Sequence, residues 1–238
     1  NYGEAYVAAA AAEKKKTGFL GCFCREKVVM ITKETHIRTV GIAGSTRGSG
    51  TTHLAVSLAN YASSGLLEKS AYIEAGGQGE LTRWKTPGKS GYFTEKGVHF
   101  YPNVKREDIP ILLNRDYKRL IFDFGEKYLF FREEILRCDR KIFLLNISPW
   151  QKFTAEKLVR ELAEEEWGKV MPLFASAFAS PKEKSQIEEA FHIHIMEITG
   201  ICNAFAISGK SFSMMNQLLG ENAPVKKKFS LNLTKRKR

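Results

Sequence analysis

Across residues 37–59, IRTVGIAGSTRGSGTTHLAVSLA, an apolar run gives way to a turn of small residues and then to helical spacing. Ile37 to Ala43 has the continuous apolar character of a strand covered on both faces. Residues 51–63 place Leu54, Leu58 and Tyr61 on one helical face. Between them, Gly44 to Thr52 contains only glycine, serine and threonine apart from Arg47. Such a turn feeding a helix N-terminus presents converging backbone N–H groups and the positive end of the helix dipole, which is what a phosphate group needs. The candidate phosphate-binding residues are Gly44, Ser45, Thr46, Arg47, Gly48, Ser49, Gly50, Thr51, Thr52 and His53. Taken alone, the stretch also reads as a tight turn with nothing bound.

The rest of the chain alternates strand and helix. Ala71–Ile73, Leu120–Phe122, Lys141–Ile147, Val170–Phe178 and a short run at 193–198 read as strands. Helices are expected at 107–114, 129–137, 151–166 and 209–219, and another from Ser180, with serine at the N-cap, Pro181 at N1 and Glu183 at N3. Residues 76–98, with six glycines and a proline, read as one long irregular stretch, in which Arg83 and Trp84 mark a mobile switch segment, a partner surface or an ordinary surface loop. The expected fold is α/β: three layers around a mainly parallel sheet. His192 and His194 fall on one face of the short strand, without a third metal ligand.

A second feature lies about 70 residues beyond the loop. Arg119-Leu120-Ile121-Phe122-Asp123 is an apolar strand ending in a carboxylate, positioned to hold a Mg²⁺-bound water beside the Thr52 hydroxyl. With the loop, this makes a P-loop NTPase of Rossmann-like architecture the expected fold, with nucleotide at the carboxyl ends of the strands.

Four segments in order carry a resemblance: Gly48 to Ala59, Tyr72-Ile73-Glu74, Asp116-Tyr117 through Asp123, and Cys138-Asp139-Arg140 through Ser148-Pro149. Over about residues 38–220 the chain resembles the ParA/MinD-type P-loop ATPases, and among them the degenerate TadZ/CpaE-like proteins that localise Flp pilus machinery. The resemblance implies ATP or ADP as ligand, Mg²⁺ held by Thr52 and Asp123, a switch at Glu74 and Gly76, and a nucleotide-dependent homodimer. It also exposes departures. The phosphate-gripping lysine of the family falls on Thr51, its signature lysine on Thr46, its first loop glycine on Ser45 and its catalytic carboxylate on Gly76. No asparagine occurs in Phe174–Phe178, where the family often reads adenine. A charge-assisted contact contributes about 1.5–3 kcal/mol, so losing one lysine weakens phosphate binding roughly 10–100-fold. No catalytic residue is assigned, and hydrolysis is expected to be very slow or absent.

Composition excludes several other classes. The 238 residues are 43% hydrophobic and 26% charged, ordinary for a globular chain. No apolar run approaches the roughly 18 residues that span a bilayer. Four cysteines cannot make a disulfide framework and fit a reducing cytoplasm. No G-x-S-x-G elbow and no zinc-finger or RNP-like spacing occurs. The lone Cys22-Phe23-Cys24 lacks the second ligand pair of a zinc site. Asn1 in place of a start methionine suggests a fragment or a processed chain.

The expected organisation is a disordered segment at 1–27, the P-loop domain at 28–222 and a basic tail at 223–238. Lys226 to Arg238 carries seven of the eleven net positive charges and no acid, so the tail suits either an anionic membrane surface or nucleic acid, or simply solubilises the end. The leading functional expectation is a degenerate ATP-binding protein acting as a positional or assembly scaffold, for pilus or secretion machinery, in the cytoplasm and peripheral at the inner membrane face. The alternatives are an active partitioning ATPase whose tail holds DNA or membrane, and an interaction module that no longer binds nucleotide.

Overall fold

Strand β1 (Arg38–Gly44) lies at the centre of an eight-stranded sheet because its residues are apolar or small enough to be covered on both sides; Thr39 to Gly44 is buried throughout. The computed structural model describes residues 38–76, 79–167 and 171–221, all within the compact unit Thr35–Arg238. The Cys22–Cys24 pair and the expected segments 1–27 and 223–238 lie outside the described residues.

From β1 the chain turns through the glycine-rich loop into α1 (Thr51–Asn60), which closes in a π turn at Tyr61–Gly65. β2 (Ser70–Glu74), the short α2 (Glu80–Trp84), β3 (Phe93–Glu95), β4 (Val98–Tyr101), α3 (Ile109–Leu113) and β5 (Arg119–Asp123) complete the first half. The second half runs α4 (Arg132–Arg137), β6 (Arg140–Ile147), α5 (Lys152–Ala163), β7 (Leu173–Ala179), α6 (Pro181–Phe191), β8 (Ile195–Glu197) and α7 (Phe212–Leu219). The strand order is β3-β4-β2-β5-β1-β6-β7-β8, parallel except for the β3–β4 pair.

Alternation along the strands builds the layers. Val40, Ile42, Tyr72, Ile121 and Leu144 point to one side, where Leu54 and Leu58 of α1 and Met215 and Leu218 of α7 meet them. Ile73, Leu120, Phe122, Phe143 and Leu145 point to the other, against Ile135, Leu158, Leu162 and Ile187 of α4, α5 and α6. Two apolar cores on one sheet give the expected three-layer α/β fold.

Four local expectations change. The stretch at 76–98 contains α2 and β3, and β3 forms a hairpin with β4; the turn is made by Lys96 and Gly97, both at positive φ (50° and 78°), which suits a two-residue hairpin connection. Trp84 is docked rather than loose, its ring 5.2 Å from that of Phe93 and 5.7 Å from that of Phe100. His192 is not in a strand: it ends α6 in the left-handed conformation (φ 52°), and β8 begins only at Ile195. The Ser180 hydroxyl bonds the Glu183 carboxylate instead of capping a backbone N–H.

At the amino ends of β1 and β5, Arg119 is 1% exposed and forks onto Glu68 (2.9 and 3.1 Å) and onto Glu221 (2.8 Å). Arg38 pairs with the same Glu221. A guanidinium cannot shed its proton when buried, so this pairing is what makes its burial tolerable.

Candidate functional site

The carboxyl ends of β1, β2 and β5 converge because the register sets Asp123 between Ile42 and Glu74. The loop after β1 is tied down at its start: Gly44 N–H donates to Gly125 O (2.8 Å), Ser45 N–H donates to Leu144 O (2.8 Å), and the Ser45 hydroxyl accepts from Asn146 N–H (3.0 Å). Gly48 (φ 79°) and Gly50 (φ 97°) take the left-handed turns that let the backbone curl, and a Cβ at either would meet nothing within 4 Å. Gly44 is fixed by packing instead, since a Cβ there would lie 2.0 Å from Ser49 Oγ. Helical bonding starts with Leu54 N–H to Gly50 O, so the first-turn N–H groups of α1 face the loop, and no side chain caps them.

Asp123 is 1% exposed and collects donors. Thr52 Oγ1 donates to Oδ2 at 2.6 Å, Tyr72 OH donates to the same oxygen at 2.8 Å, and Gly125 N–H donates to Oδ1 at 3.0 Å. Burial still raises the carboxyl pKa above its ordinary value, and those hydrogen bonds with Thr51 only partly oppose it. Burial and the neighbouring Asp123 charge push the Tyr72 phenol well up, so it stays a donor. Glu74, also 1% exposed, accepts from Asn103 N–H (3.1 Å) and is raised chiefly by burial.

An open cleft of about 280 Å³ lies over these groups, lined by Thr46, Arg47, Gly48, Thr51, Thr52, Gly76, Glu80, Asp123, Gly125 and Glu126. Its charge balance is acidic, with three carboxylates against one guanidinium among the described lining residues. The structure thus brings Gly44 through Thr52, Asp123 and Gly76 together. The His53 side chain turns away, its Nε2 2.9 Å from Ile201 O, and lines a second, mostly apolar cleft of about 330 Å³ with Leu54, Ala177, Phe178, Ile198 and Ile201.

Three features fit a magnesium–nucleotide: the curled loop with uncapped N–H groups, the Thr52–Asp123 pair, and the Thr46 Oγ1, a buried hydroxyl with no hydrogen-bond partner. The acidic balance opposes a bare phosphate. Gly76 cannot carry a carboxylate in this geometry, because a Cβ there would lie 1.7 Å from Phe124 O. Tyr72, Glu80 and Glu126 escaped sequence reasoning. Tyr72 carried a signal, a hydroxyl two residues before Glu74 and so on the same face of the strand; Glu80 opens the short helix α2 and Glu126 lies in a turn, neither within a motif.

Solved structures share this architecture. A Cyanothece McdA variant in complex with ATP superposes with a TM-score of 0.55 over 81% of this chain and 100% of its own, at 14% identity. A ParA family ATPase from Chlorobium tepidum gives 0.51 over 79% and 95%, and a protein assigned to plasmid partition from Borrelia burgdorferi, bound to AMPPNP, gives 0.51 over 79% and 90%, both at 13% identity. The chain has a ParA-type P-loop fold. At such identity the likeness speaks for the fold alone. No protein-family model and no curated protein matches the chain.

Proposed function

We propose that this chain is a degenerate ParA/MinD-family protein of the TadZ/CpaE-like kind. It binds ATP or ADP weakly with Mg²⁺, turns it over very slowly or not at all, and serves as a positional or assembly scaffold for Flp pilus or secretion machinery. The homodimer and a peripheral place at the inner face of the membrane belong to the same proposal. One observation carries it: Thr52 and Asp123 are joined at 2.6 Å beneath an intact glycine-rich loop, while positions 46, 51 and 76 hold Thr, Thr and Gly. Within the site, the loop N–H groups and Thr46 hydroxyl would hold phosphate oxygens, and Thr52 with Asp123 would hold the metal. Magnesium, when bound, offsets phosphate charge. The apolar cleft beside His53 and Phe178 suits a planar base, which needs apolar cover more than charge.

Calorimetric titration with ATP and ADP, with and without Mg²⁺, tests this. Weak, Mg²⁺-dependent heat is expected, with turnover far below about 1 s⁻¹. No heat at millimolar nucleotide from a folded protein would instead favour an interaction module without nucleotide, the reading supported by the excess of carboxylates in the cleft.

A further inference from the structure

Arg47 and Glu80 face each other across the mouth of the phosphate cleft. Arg47 Nη2 lies 3.7 Å from Glu80 Oε1, and their side chains are 69% and 47% exposed. An ion pair this open adds little to stability and is easily exchanged. Arg47 is also the only cation among the described residues that line the cleft.

The element that carries Glu80 is held in place by the residues that follow it. Leu81 is buried, its N–H bonds the Glu74 carboxylate, and Trp84 packs on Phe93 and Phe100, so α2 is fixed while the exposed Glu80 side chain is not enclosed. Glu80 therefore leaves Arg47 by a side-chain rotation, without unpacking Leu81 or Trp84.

We propose that Arg47 is the phosphate-binding cation of this loop, replacing the absent lysines, and that Glu80 is a built-in competitor for it. The proposal rests on the nucleotide-binding reading above. A polyphosphate offers a guanidinium the same bidentate geometry as a carboxylate but more charge, so it displaces Glu80 at a cost to its own apparent affinity.

The test is calorimetric titration of wild type, Glu80→Gln, Arg47→Ala and the double variant with MgATP and MgADP. Both side chains are exposed, and matching thermal melts confirm that the variants fold. Glu80→Gln is expected to tighten binding about three- to five-fold, the scale of an exposed ion pair. Arg47→Ala is expected to weaken it about tenfold or more. The double variant is expected to match Arg47→Ala, because Glu80 acts through Arg47. Nucleotide binding in Glu80→Gln where wild type shows none would also support the proposal. If wild type binds and Glu80→Gln does not differ, or if Glu80→Gln tightens binding equally without Arg47, the competition is overturned and the nucleotide reading stands. If neither wild type nor Glu80→Gln binds, both fall.

Discussion

Thr51 occupies the position from which a lysine would grip phosphate, and it is 9% exposed with its methyl turned toward Gly44. Thr51→Lys is expected to tighten MgATP binding roughly 10–100-fold by calorimetry, the worth of one charge-assisted contact. Gly76 behaves differently. Because a Cβ at Gly76 meets the Phe124 carbonyl at 1.7 Å, Gly76→Asp is expected to cost about 3 kcal/mol in urea denaturation and to restore no hydrolysis. Recovery of turnover in that variant would show that the backbone yields more easily than close packing allows. Tyr72 has a structural duty of its own: Tyr72→Phe removes a buried donor from Asp123 and is expected to cost about 1–3 kcal/mol.

Among the elements, the edge hairpin shows what single side chains do collectively. Arg115 Nη1 donates to Tyr101 OH (2.7 Å), which lies 2.7 Å from Tyr117 OH, itself 2.6 Å from His99 Nδ1. A guanidinium only donates, so Tyr101 accepts from Arg115, and the two phenols and the His99 ring share the remaining bonds of the network. Burial, then the Lys69 and Arg115 charges, lower the His99 pKa below its ordinary 6.5. The neutral ring being the native form, its stabilisation is complete above about pH 6.5 and is lost as pH falls through the lowered native value. Urea midpoints are expected to drop between pH 7.5 and 5, and to drop less in His99→Phe.

This hairpin is also where the sequence was least legible. Phe93–Glu95 and Val98–Tyr101 are three and four residues long, too short for a period to register among glycines and lysines, and only their pairing makes them strands. β1, β5 and β6 were readable because strands buried on both faces must be apolar throughout. Asp123 and Thr52 were readable as a pair through their motif; Glu80 was not, because its meeting with Arg47 depends on where α2 docks.

For the molecule as a whole, charge is divided by region. The cleft is acidic, while seven of the eleven net positive charges belong to residues 226–238. Removing residues 225–238 is expected to abolish any salt-sensitive binding to anionic liposomes and to leave the thermal melt unchanged. Equal liposome binding by the shortened chain would assign the contact elsewhere, and binding to DNA alone would favour the partitioning alternative. Among the described residues no helix is long and apolar enough to cross a membrane. The Arg38–Glu221–Arg119 network has a practical consequence. It brings the first and last described residues together at the amino ends of β1 and β5, while Gly44 and Asp123 close the opposite ends of the same strands. A tether joined at position 38 or 221 would therefore hold these strands at one pole, with the phosphate loop at the other.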